Sequence, residues 1–312
     1  MKFHHSQLYA TYSIVARDPQ TGDLGVAVQT HQMSVGSIVP WLLPGVGAVA
    51  TQSLVNISFG PVALRLLREG YAAEKVIAAL VAADDGQHRR QVAVVDAQGR
   101  AAAHTGTGCI AYASHQVGDG YSVQANMMTR NTVLAAMAQA YEAASGDLAQ
   151  RMMAALQAAQ AEDGDIRGMQ SAGLKVVPGD ASKAEWAWVY DLRVDEHERP
   201  LDELARLVRL RHAQLIDAQG YTALSSGQRD EALRLWAQAR EQAPELEEQA
   251  FWQATTLADE HDDPQTAAEI LRPALANDTR RAEWLDLVQR LADCGLMEKA
   301  GAAEALLAQL NA

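Results

Sequence analysis

Residues 10–28, ATYSIVARDPQTGDLGVAV, alternate apolar and polar on either side of an Asp-Pro-Gln-Thr-Gly-Asp turn. The pattern predicts a hairpin of two strands, Thr11–Arg17 and Leu24–Gln29. Thr11 heads the first strand, and its hydroxyl is a weak nucleophile while its nitrogen stays in a peptide bond. A cut between Ala10 and Thr11 would free an α-amine, ordinarily titrating near 7.7–8.0, to serve as that hydroxyl's own base. A β-branched residue also opens strands for steric reasons alone, so both readings stand. Ser13 is a second hydroxyl candidate that needs two further residues removed. Cys109 is a third, against its ordinary role as a small buried hydrophobe.

Other polar side chains collect at predicted strand ends. His31 follows Val28-Gln29-Thr30; an imidazole titrating near pH 6.5 there could take a proton, orient a nucleophile or serve the structure. Gln52 and Ser53, after Thr51, end a third strand, and Gln124 and Asn126 end a later one. Amides and hydroxyls so placed can donate to an oxyanion or read a polar substrate, or satisfy buried backbone groups. Asp165 and Arg167, in GDIRGMQSA, are spaced to pair, either to hold a carboxylate substrate through the guanidinium or to lock the turn. His4-His5 and the scattered carboxylates lack a metal-site spacing, and no phosphate-cradling loop, dinucleotide fingerprint or Gly-x-Ser-x-Gly elbow occurs. Neither a metal nor a cofactor is expected.

The elements that must position these residues come in groups. Beyond the hairpin, Gly45–Ser53 reads as a small-residue strand, and Pro61–Arg68 and Ala72–Ala83 as helices broken at Gly70. Strands are predicted at Arg90–Asp96, Ala101–Thr105, Cys109–Ser114 and Tyr121–Asn126, helices near Thr132–Ala144 and Asp147–Ala161, and two last strands at Ala172–Val177 and Glu185–Arg193. Strands, two helices, strands, two helices, strands is not βαβ alternation. It implies antiparallel sheets with helices in separate layers, an α+β four-layer αββα sandwich over residues 1–195.

After residues 194–200 the composition turns to Ala, Leu, Glu, Gln and Arg. Gly220, Gly227, Ala232, Trp236, Ala239 and Pro244 have the spacing of a tetratricopeptide unit, and Ala267, Leu271 and Ala274 answer Ala232, Trp236 and Ala239 at an offset of 35. Two helical hairpins are expected in an all-α domain over residues 201–312. Such arrays need about three repeats to stand alone, so docking on the first domain or on another copy of the chain, as a homo-oligomer, is expected.

Charge and composition exclude some functions. The chain has 312 residues, 48% of them apolar, and a net charge of −13. Residues 1–195 carry 14 basic and 17 acidic side chains, and residues 196–312 carry 12 and 22. Neither part offers the basic face that phosphate backbones require, so nucleic acid is not an expected partner. Two cysteines, Cys109 and Cys294, are too few and too distant for a disulfide framework. With no apolar run fit for a signal peptide or a membrane span, a cytoplasmic protein is expected.

TYSIVARDPQTGDLGVAVQTH, SVGSIVPW, GVGAVATQS, RRQVAVVDAQGRAAAHTG, GDGYSVQANMM and GDIRGMQSA resemble, in order, the bacterial family called domain of unknown function 1028. The match covers roughly residues 11–178. That family is similar in fold to the N-terminal-nucleophile (Ntn) hydrolases, which implies a hydrolase superfamily without giving a substrate. His104-Thr105-Gly106 resembles the family's HTG stretch, which implies a cleft-lining His104 or a strand turning into a loop. The tail from Leu201 resembles the helical region that often follows this domain and is described as peptidoglycan-binding.

Two functions emerge as expectations. One is hydrolysis of a C–N amide-type bond in a small molecule or short peptide, with Thr11 as nucleophile after removal of residues 1–10, or with His31 in the catalytic part. Ser13, Gln52, Ser53, His104, Gln124, Asn126, Asp165 and Arg167 would then contact substrate. The alternative is a non-catalytic binding or scaffold protein whose helical tail recruits a protein or cell-wall partner.

Overall fold

The computed structural model describes residues 8–9, 11–276 and 279–311, and the chain divides into two compact units at Val208 and Arg209. His4-His5 and Ala10, on the near side of the proposed cut, lie outside the described residues. No described helix is long and apolar enough to cross a membrane.

The hairpin forms as its alternation requires. Strands β2 (Thr11–Arg17) and β3 (Leu24–Thr30) pair antiparallel, Thr11 opposite Thr30 and Arg17 opposite Leu24. The turn is held by Asp18, whose Oδ1 accepts from the backbone N–H groups of Gln20 (2.8 Å) and Thr21 (3.0 Å). Gly22 supplies the left-handed residue at φ 80°. A shorter strand, β1 (Leu8–Tyr9), precedes β2 and belongs to the other sheet, where it pairs with Ser53 and Leu54. Thr11 therefore heads the second described strand, not the first.

Both sheets are antiparallel. The one containing the hairpin has the order β11-β10-β3-β2-β9-β8, with β8 (Ser114–Gly118), β9 (Tyr121–Asn126), β10 (Ser171–Val177) and β11 (Tyr190–Val194). The other runs β5-β6-β7, with β5 (Gly47–Leu54), β6 (Arg90–Asp96) and β7 (Ala101–Thr105); β1 and β4 (Pro40–Leu43) pair with opposite ends of β5. Because side chains alternate along a strand, each sheet has two differently dressed faces. Val15, Leu24, Val26 and Val28 meet Ala48, Ala50, Ala93 and Val95 in one fully buried cluster between the sheets.

The outward faces are covered by helices. Helices α1 (Phe59–Arg68) and α2 (Ala73–Ala82) bury Leu64, Leu67, Val76 and Leu80 against Val49, Val92 and Val94. On the hairpin sheet lie α3 (Val133–Ala143) and α4 (Leu148–Ala161). The start of α4 is fixed by a capping box: Asp147 Oδ1 accepts from Gln150 N at 2.9 Å, and Gln150 Oε1 accepts from Asp147 N at 3.0 Å. The layers run helix, sheet, sheet, helix.

Two predicted strands are corrected. Residues 109–113 are irregular, and regular pairing begins only at Ser114. Their would-be partner ends at Asn126, where Met127 turns to φ 59°, and what remains is irregular: Met127 N donates to Ile110 O at 2.8 Å, and Tyr112 and Met128 exchange longer bonds of 3.3 and 3.5 Å. Residues 185–189 are likewise outside β11, because β10 ends at Val177 before a proline that cannot donate to a ladder. The alternation of Trp186 and Trp188 thus has no adjoining strand, and Trp186 is 80% exposed.

The division between units falls inside a single helix, α5 (Pro200–Ser225); the composition shift marks where that helix begins. The second unit continues with α6 (Arg229–Gln242), α7 (Glu247–Glu260), α8 (Pro264–Leu275), α9 (Arg281–Asp293) and α10 (Ala302–Asn311). Trp236 is fully buried, and a Cβ on Gly220 would lie 2.4 Å from its ring, so the glycine is what lets α5 approach α6. The two helical hairpins read from the sequence become three helix pairs. Thirty-five residues beyond Ala267 and Leu271 stand the buried Ala302 and Leu306, but Gln309 occupies the third place and hides the repeat.

Candidate functional site

The inward face of the hairpin sheet changes character toward the start of β2. Val15 is followed on that face by Ser13 and then Thr11, opposite Gln124 and Asn126 of β9. Across the gap, Gln52 takes the place that Ala48 and Ala50 hold further along β5, and Gln91 precedes Ala93 and Val95 on β6. All six are fully buried, so their amides and hydroxyls must find one another.

Five of them do so as a chain, which reaches Thr11 through its carbonyl. Ser13 Oγ donates to Gln52 Oε1 (2.7 Å) and accepts from Gln124 Nε2 (3.2 Å). Gln52 Nε2 donates to Gln91 Oε1 (2.8 Å) and to the Thr11 carbonyl (3.1 Å). Asn126 Nδ2 also donates to Gln91 Oε1, at 2.9 Å. Gln91 Nε2 in turn reaches Thr105 Oγ1 (2.9 Å), Ser114 O (3.0 Å) and Ala125 O (2.9 Å). Two acceptors in this cluster, Gln124 Oε1 and Asn126 Oδ1, are buried with no hydrogen-bond partner among the described residues.

Gln91 is the hub that the sequence reading passed over. The signal was present in RQVAVVD, where Gln91 shares the parity of Ala93 and Val95 and so had to point into the apolar interior.

The remaining candidates lie elsewhere. Ser53 adopts φ 67° and leaves the face of Gln52; its Oγ donates to Cys109 Sγ at 3.4 Å, and that thiol donates to Arg90 O at 3.4 Å. Burial pushes the Cys109 thiol up, against smaller opposing effects of the Ser53 hydroxyl and the Gly106 N–H, so it is a poor nucleophile. His104 has the parity of the helix-facing Val92 and engages Gln87 O at 2.9 Å, away from the cluster.

His31 is exposed just beyond the end of β3; its N–H donates to Asp165 Oδ2 (3.1 Å) and its Nδ1 lies 3.3 Å from Met169 O. Asp165 and Arg167 do pair: Arg167 Nε and Nη2 donate to the two carboxylate oxygens at 3.1 and 2.9 Å, and Arg167 N adds a third bond at 2.9 Å. The carboxylate is thus engaged in holding its own loop and the end of β3. Burial raises the Tyr12 phenol well above its ordinary value, with the Asp165 charge adding to the effect, and its OH donates to Gln160 Oε1 at 3.0 Å on the helix side.

The inward cluster therefore contains hydroxyls and neutral amides but no side chain that titrates near neutral pH. It can bind, orient and stabilise charge; a base has to come from elsewhere. Among the described residues, no group of three or more His, Cys, Asp or Glu could hold a metal ion.

A model of a family of unknown function, DUF1028, matches residues 11–204. Among solved structures, the chain is similar to protein SPO2555 from Silicibacter pomeroyi, described as matching the same family model. Identity is 31% and the TM-score 0.58, over 64% of this chain and 88% of that one. No curated protein matches.

Proposed function

The chain belongs to the DUF1028 family of unknown function, and on that premise we propose that its first unit is an N-terminal-nucleophile-type hydrolase of small amides, with Thr11 as nucleophile once residues 1–10 are removed. The observation that carries the reading is the pairing of Thr11 with Asn126. Thr11 heads an interior strand on the inward face, directly across from a buried amide whose Oδ1 has no hydrogen-bond partner among the described residues. An α-ammonium or amine freed at Thr11 is a donor of the kind that oxygen lacks.

The chemistry needs nothing beyond the chain and water. Thr11 Oγ attacks the substrate carbonyl while its proton passes to the α-amine. The tetrahedral oxyanion is met by an amide N–H; Asn126 Nδ2 uses one of its two hydrogens on Gln91 and has a second to give. Collapse breaks the C–N bond, and the departing amine takes the proton from the α-ammonium. Water, with its proton going to the same α-amine, then cleaves the acyl-threonine ester to release the carboxylic acid. The neutral cluster favours an uncharged acyl portion.

The test is a chain that begins at Thr11, produced by cleavage of an N-terminal tag and assayed against a panel of small amides beside the full-length chain. Turnover only in the trimmed chain, retained in Thr11→Ser and lost in Thr11→Ala, is the expected result. Equal turnover by the untrimmed chain, or by Thr11→Ala, overturns the proposal.

A further inference from the structure

Beyond Gln91 the polar chain ends on an imidazole. Thr105 closes β7 on the inward face, and its Oγ1 lies 2.9 Å from His115 Nδ1 on β8 as well as 2.9 Å from Gln91 Nε2. The second contact leaves the Thr105 hydrogen available to the first. Gln91 Oε1 receives the N–H groups of Gln52 and Asn126, so the other end of that side chain is the NH2 group, which donates and cannot accept. One Thr105 lone pair faces Gln91, and in the His115 tautomer protonated on Nε2 the Thr105 hydrogen points to Nδ1.

A hydroxyl donating to an imidazole nitrogen is the nucleophile–base half of an acyl-transfer site. Burial, with the charge of nearby His104 adding, pushes His115 below its ordinary value, which keeps the base neutral. A cavity of about 280 Å³ opens on the pair, lined by Thr105, Thr107, Cys109, Ser114 and His115 with small neutral residues between them. Among the described residues no carboxylate, lysine or arginine lines it. Among the described residues no carboxylate hydrogen-bonds His115 either, so a substrate with a good leaving group suits the pair better than an amide.

We propose that Thr105 and His115 form a second acyl-transfer site, with Thr105 Oγ1 as nucleophile and His115 Nδ1 as base, acting on esters of short, uncharged carboxylic acids. Attack forms the Oγ1–acyl bond as the proton passes to Nδ1. The ester C–O bond then breaks, and the leaving alkoxide takes that proton as an alcohol. Water, deprotonated by the same nitrogen, releases the acid and restores the hydroxyl.

The experiment treats the full-length chain with diisopropyl fluorophosphate, in which the hydroxyl displaces fluoride from phosphorus, and maps the adduct by peptide mass. One adduct at Thr105 is expected, retained in Thr105→Ser, absent in Thr105→Val and formed at least tenfold more slowly in His115→Gln. Thr11→Ala, which removes the other nucleophile, should label like the parent, so this proposal and the one resting on Thr11 fail separately. Wild-type protein without an adduct at Thr105, or His115→Gln labelling at the parent rate, overturns it.

Discussion

Gln52 Nε2 donates to the carbonyl oxygen of Thr11 at 3.1 Å, so a side chain of one sheet holds the first backbone group of an interior strand of the other. Strand ends fray unless something ties them down. Here the tie comes from the same amide that donates to Gln91, which couples the position of Thr11 to the interior of both sheets. The cluster positions whatever chemistry it hosts and also fastens the two sheets where their apolar contact gives way to polar residues.

Gln91→Leu tests that fastening. The substitution keeps the volume but removes the acceptor shared by Gln52 and Asn126 and the donor to Ser114 O and Ala125 O. Buried groups left without partners cost about 1–3 kcal/mol each. A loss of at least about 2 kcal/mol is expected in urea unfolding. An unchanged midpoint would mean that the network contributes orientation only.

Gly220→Ala probes the second unit. The added Cβ would sit 2.4 Å from the Trp236 ring, and since that ring is fully buried it cannot swing away. Overpacking of this kind costs about 1–3 kcal/mol. Gly227→Ala meets no atom within 4 Å but must hold φ near 78°, at a cost of about 1 kcal/mol. Thermal unfolding of the two variants should rank Gly220→Ala lower.

Asp84 gives a pH dependence with a definite sign. Burial raises its carboxyl, but Arg90 Nε (2.7 Å), Gly86 N (2.8 Å) and Asn56 Nδ2 (3.3 Å) together hold it below the ordinary value. A carboxylate lowered on folding stabilises above its unfolded pKa of about 3.9, and that contribution is lost as pH falls through the lower folded value. Asp84→Asn should therefore be less stable than the parent at pH 7, with the gap closing below about pH 4. Denaturation midpoints at both pH values decide it; a gap that persists in acid would assign the difference to packing.

Much of the fold was legible because burial imposes a period. Arg90–Asp96, Ala101–Thr105 and Tyr121–Asn126 are strands with the bounds that alternation gives, and Trp236 with Gly220 marked a helix pair through size alone. What failed depended on partners: residues 109–113 and 185–189 alternate, but their neighbouring strands end before reaching them. The candidate site divides in the same way. Thr11, Ser13, Gln52, Gln124 and Asn126 converge because their parities agree. His104, one residue from Thr105, points to the other face. His31 and Asp165 are near in space to the end of β3 but serve its loop, which spacing along the chain does not reveal.

The identity of the base can be read from a pH profile. In a chain trimmed to Thr11 the inward cluster supplies no titrating side chain, so the α-amine is the group whose deprotonation should govern turnover. Its ordinary range is about 7.7–8.0, whereas a free imidazole titrates near 6.5. His31 is exposed and its ring engages Met169 O, on the loop that leads into β10, outside the inward cluster. We expect kcat/KM of the trimmed chain to rise with pH through the amine range, and His31→Gln to leave both the inflection and the plateau unchanged. A rise that disappears in His31→Gln would move the base from the chain terminus to the imidazole, and with it the reason for cutting the chain at all.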